Sequence, residues 1–70
     1  MLDEAVAATL AAHPDLADDV REQVPKAWGA LAAYGVLVLR ERLGRAPSES
    51  ERRALWSALW AAIWKDVKRR

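Results

Sequence analysis

The chain has no cysteine, a single histidine, and only three glycines and three prolines in 70 residues. Each shortage excludes something. Without cysteine there is no disulfide and no thiolate metal site, and no hint of an oxidising compartment. With His13 as the only imidazole, a metal site would have to rest on carboxylates. There is no glycine-rich loop to cradle a phosphate, and no serine, threonine or lysine sits in a recognisable nucleophile motif. Ser48 and Ser50 are better explained by helix capping. The sequence therefore predicts no catalytic residue, no cofactor, no metal and no enzyme activity.

Long hydrophobic runs are missing too. The longest uncharged stretch, Ala27 to Leu39, has 13 residues, well short of the ~20 that a membrane-crossing helix needs. The start, MLDEAVAATLAAHPD, is acidic and lacks the basic opening and apolar core of a secretory signal. These absences predict a soluble, cytoplasmic protein that is not held in a membrane.

What is present is helical periodicity, tryptophan and unevenly placed charge. The formal net charge is +1, but residues 1–24 carry six acids (Asp3, Glu4, Asp15, Asp18, Asp19, Glu22) against Arg21, a local charge of −5. Residues 25–70 carry ten bases against Glu41, Glu49, Glu51 and Asp66, a local charge of +6. Such halves can pair within a chain, between chains or with outside partners.

Nothing alternates with the period of a strand. Leu2, Val6 and Leu10 mark a first short helix that His13-Pro14 ends. Asp15 is the expected N-cap of a second, with Asp18 and Asp19 in its first turn, where the helix dipole favours negative charge, and Leu16, Val20 and Val24 as its apolar stripe. Pro25 predicts a break and then a long helix from about Lys26 to Leu43. Gly44 suits its C-terminal end, beside Arg40, Arg42 and Arg45. Ser48-Glu49-Ser50-Glu51 has the spacing of a capping box that opens a last helix over about 49–68. The string LGRAPSESE resembles the helix junctions of bacterial sigma-factor domains, a likeness shared with many unrelated helix starts, so it assigns no family.

The last helix carries ALWSALWAAIW (residues 54–64). At about 100° per residue, Leu55, Leu59, Ile63 and Val67 together with Trp56, Trp60 and Trp64 fill about half of its circumference. Leu and Ile take one side of that arc and the tryptophans the other. The middle helix is apolar all round between Ala27 and Leu39, with Gly29, Ala30, Ala32, Ala33 and Gly35 small enough to admit a close neighbour. A domain of this size buries little surface unaided, and without disulfides or a metal, association is the remaining support. The expected fold is a single all-α domain over 1–70. It is a small bundle with a long antiparallel helical hairpin (about 26–43 and 49–68) and two short N-terminal helices, completed by homo-oligomerisation, with a dimer favoured. Trp28, Tyr34, Trp56, Trp60 and Trp64 are the expected oligomer or partner interface.

Two further surfaces come into question. Asp15, Asp18, Asp19 and Glu22 share one side of a short helix, as a weak cation site would require, but an N-cap with a solvated acidic face is the better account of them. Arg40, Arg42, Arg45, Arg52 and Arg53 gather around the turn between the long helices, and Lys65, Lys68, Arg69 and Arg70 at the C-terminal end. They are candidate contacts to a nucleic-acid backbone. The sequence as a whole predicts a small helical interaction module, a homo-oligomeric adaptor or regulatory subunit that binds another macromolecule, with a protein as the expected partner. A small DNA- or RNA-binding regulator is the alternative.

Overall fold

A computed structural model of the protein describes residues 2–65, and within them the chain forms four α-helices and no strand. The first, α1 (Leu2–Ala12), has Asp3 and Glu4 in its opening turn and turns Ala5, Val6 and Thr9 inward. Thr9 is polar yet fully buried. Its hydroxyl donates to the Ala5 carbonyl one turn back at 2.7 Å, so burial leaves no unpaired donor.

The second helix, α2 (Pro14–Arg21), starts two residues earlier than an Asp15 N-cap would set it. Asp15 is not its N-cap. Pro14 occupies the first helical position, where its missing N–H costs nothing and its fixed φ suits the helix. His13 becomes the flanking residue, without a side-chain capping bond, and Asp15 falls in the first turn.

The connection from α2 to α3 breaks at the expected place, by a route that sequence patterning did not indicate. Gln23 (φ 62°) and Lys26 (φ 72°) both take the left-handed conformation and bracket Val24-Pro25. Lys26 is therefore outside the helix, and α3 runs Ala27–Leu43. Gly44 closes α3 at φ 73°, its N–H donating to the Arg40 carbonyl at 2.9 Å. At the start of α4 (Glu49–Lys65) both reciprocal bonds of the capping box are present. The Ser48 N–H donates to Glu51 Oε1 at 2.7 Å, and the Glu51 N–H donates to Ser48 Oγ at 3.2 Å. The expected continuation of α4 to residue 68 lies outside the described residues.

Every helix contributes to the core. Leu31 and Leu39 of α3 and Leu55, Leu59 and Ile63 of α4 are its largest side chains, joined by Ala5 and Val6 of α1 and Val20 of α2. Full burial of each Leu or Ile stabilises the fold by roughly 1.5–3 kcal/mol relative to exposure. α1 packs on α3 and α4, and α2 mainly on α3. At the far end Arg21 Nε donates to the Ile63 carbonyl at 2.8 Å, which ties the end of α2 to α4 across 42 positions of sequence. No described helix is long and apolar enough to cross a membrane.

Candidate functional site

The five aromatic residues expected at an interface occupy different environments. Trp56 sits against α3 and is half-buried, its indole N–H donating to the Ala32 carbonyl at 3.3 Å. Trp28 and Trp64 are also half-buried and pack against the core. Trp60 differs, with 47% of its surface exposed. Its ring is nevertheless held on two sides. It meets Trp28 edge to face at 5.1 Å and lies tilted against Trp64 at 5.5 Å. Both geometries are favourable for aromatic pairs and favour this orientation of the half-exposed ring. The indole N–H of Trp64 is buried and has no acceptor among the described residues.

Tyr34 is 41% exposed and belongs to another side of α3. It stacks on His13 at 4.0 Å and 19°, over the junction of α1 and α2. Tyr34 was expected in the same interface as the tryptophans; its aromatic partner is His13.

The middle helix is not surrounded. Ala27, Leu31, Ala32, Gly35 and Leu39 are buried, while Gly29, Ala33, Tyr34 and Leu37 are exposed. Leu37, at 54%, is the most exposed large apolar residue described. Gly29, Ala33 and Leu37 recur every four residues and form an uncovered strip along α3. On α4, Ser57 and Ala61 flank Trp60 and are likewise exposed. The uncovered surface is therefore a row of small side chains on two helices with one large ring standing beside it.

The basic residues around the turn are mostly engaged with the chain itself. Arg45 grips Glu51 with two bonds of 2.9 and 2.8 Å, Arg42 pairs with Glu4 at 3.1 Å, and Arg53 pairs with Glu49 at 2.8 Å. Arg52 donates to the Pro47 carbonyl at 3.2 Å. Arg40 is exposed and joins no ion pair among the described residues. Lys65 is exposed at the end of α4, and Lys68, Arg69 and Arg70 lie outside the described residues. The paired arginines serve the fold at this corner: Glu4–Arg42 joins α1 to α3, and Arg45–Glu51 closes the turn onto α4.

Glu51 is the most perturbed titratable group described. The Arg45 guanidinium first, and the Ser48 N–H second, hold its carboxyl down at about 2. Glu51 in turn raises the Arg45 guanidinium. Both effects come from a capping box with an arginine clamped to its outer side, which is structural chemistry. Near it a cleft of about 270 Å³ is lined by Leu2, Leu39, Leu43, Ser50, Glu51 and Ala54. The polar atoms of Glu51 are already committed to Arg45 and Ser48.

The acidic residues of α2 do not converge. Asp18 is paired with Arg21 at 2.7 Å. Among the described residues no group of three or more His, Cys, Asp or Glu side chains is placed to hold a metal ion. Comparison of the chain with protein-family models, with curated proteins and with solved structures finds no match.

Proposed function

We propose that this protein is a small non-enzymatic helical interaction module, a homo-oligomeric adaptor or regulatory subunit that binds another macromolecule. In this reading α3 and α4 work as one antiparallel hairpin. Trp56 against Ala32 and Trp60 against Trp28 are contacts consistent with that direction. The two short helices cover one side of the hairpin, and the other side is the working surface.

The observation that carries the reading is Trp60, which is large, half-exposed and in contact with the rings of Trp28 and Trp64. Tryptophan is enriched among the few residues that supply most of an interface's binding energy, and a pre-ordered side chain loses little entropy on contact. Leaving such a ring in water gains the isolated chain nothing. The self-pairing of Arg42, Arg45, Arg52 and Arg53 favours a protein partner over a nucleic-acid one, because a phosphate backbone would have to displace those internal bonds.

The test is capture of partners from host lysate on the immobilised protein, with and without nuclease and at low and high salt. Specific protein capture that survives nuclease and high salt supports the module reading. Capture that is lost with nuclease and falls steeply with salt supports the nucleic-acid alternative instead.

A further inference from the structure

Of the three glycines, two are explained within the chain. Gly44 has φ +73°, which side-chain-bearing residues rarely adopt. Gly35 lies under α4, where a Cβ would stand 3.3 Å from Leu55 Cδ2 and 3.5 Å from Leu59 Cδ2, both of buried residues. Gly29 has neither reason. It is helical, its φ is not positive, and a Cβ built on it meets nothing within 4 Å. Alanine there would favour the helix by up to about 1 kcal/mol. Nothing among the described residues accounts for a glycine at this position.

We propose, building on the reading as an interaction module, that the uncovered side of α3 and α4 receives a second copy of this chain. The copies dock about a two-fold axis, so that Trp60 of each lies over the Gly29–Ala33 backbone of the other. The face is self-complementary, as an isologous contact requires. It carries a knob, Trp60, and exposed small residues that would form the receiving trough, Gly29 and Ala33 on α3 with Ser57 and Ala61 on α4. Trp28, the residue before Gly29, touches Trp60 and fixes their proximity. A two-fold operation delivers each knob to the opposing trough.

The size suffices. Two 17-residue helices about 25 Å long, side by side at 8–10 Å, give a face of roughly 500 Å² in projection. Counted on both copies this reaches the ~1,000 Å² at which specific interfaces begin, before side-chain relief is added.

Molar mass by light scattering, measured from low micromolar to submillimolar protein, tests the proposal. The wild type is expected to approach twice the chain mass as concentration rises. Gly29→Leu fills the trough while its Cβ enters open space in the single chain. It should weaken self-association by at least about thirtyfold, the size of a hot-spot loss, with helicity by circular dichroism retained. Trp60→Glu should do the same from the other side, and Tyr34→Ala, on the His13 side, should leave the dimer intact. A wild type that stays monomeric throughout overturns the proposal. So does a dimer that survives Gly29→Leu, which would show assembly through another surface. The wider reading as an interaction module fails separately, when lysate capture finds no specific partner and the chain does not self-associate.

Discussion

Replacing Ser48 with alanine isolates one bond in the corner where the turn meets α4. The bond is Glu51 N–H to Ser48 Oγ, 3.2 Å, at the long end of hydrogen-bond distances. The substitution leaves the other half of the box in place, because Glu51 still accepts from the Ser48 N–H at 2.7 Å and remains gripped by Arg45. The loss is therefore one capping bond at a helix start, about 1 kcal/mol. A domain of this length has a total stability on the order of 4–10 kcal/mol, so the change is readable. It corresponds to a drop in Tm of about 4–8 °C for a domain of this size. Urea denaturation and thermal melts followed by circular dichroism, at one fixed protein concentration, measure it. The denaturant midpoint should fall with an unchanged slope, and Ser48→Asn, which restores an acceptor, should recover most of the loss. Melts of Ser48→Ala and wild type that superimpose would refute the reasoning, and so would a failure of Ser48→Asn to recover.

The same corner predicts a pH dependence. Glu51 titrates at about 2 in the folded chain against an ordinary value of 4.5, so its ionised form is favoured by folding. Its contribution is fully present above 4.5 and drains away as pH falls towards 2. The Tm gap between wild type and Glu51→Gln should therefore be widest near neutrality and narrow across that window; a gap constant from pH 6 to pH 2 would contradict the assignment. Gly44→Ala forces a Cβ into φ +73° with no neighbour within 4 Å to clash. The cost is purely conformational, about 1–2 kcal/mol, with Gly44→Asn destabilising less because asparagine tolerates that region. Equal melts for Gly44→Ala and wild type would show that the end of α3 rearranges freely.

The features that sequence patterning located correctly are those set by local chemistry. Pro14, Gly44 and the Ser48–Glu51 pair each act within one turn of themselves, so the breaks they imply were legible without knowing the fold. The period of Leu55, Leu59 and Ile63 likewise identified the buried side of α4. Asp15 was misplaced because two signals, an acid and a proline, compete for the same helix start, and the proline wins, moving the cap two residues back to His13. Tertiary choices were less accessible. An all-apolar middle helix does not reveal which side its neighbours cover, so the exposure of Gly29, Ala33 and Leu37 had to be observed. Tyr34 belongs with His13 because of how α1 and α2 cross α3, which no spacing encodes. Thr9 is buried through a bond to its own helix, and Arg21 reaches the Ile63 carbonyl across 42 positions. Sequence periodicity carries no signal for either. The candidate surface was legible as a set of tryptophans, but the difference between Trp60 and its two half-buried neighbours was not.

The core is distributed over all four helices, and this has a consequence for how the molecule opens. α1 lays Ala5, Val6 and Thr9 mainly against helices much later in the chain, and Val20 of α2 joins the same cluster as Leu31 and Ile63. No helix can leave without uncovering side chains that the others need buried. Local fraying is thereby confined to helix ends and to the left-handed turn at residues 22–26. Amides at the centres of α1, α3 and α4 must wait for the whole bundle to come apart before they exchange with solvent, so their protection should converge on a single free energy. A protease that clips between α2 and α3 would thus meet a molecule that resists as a unit and then, once opened, has no folded half to fall back on.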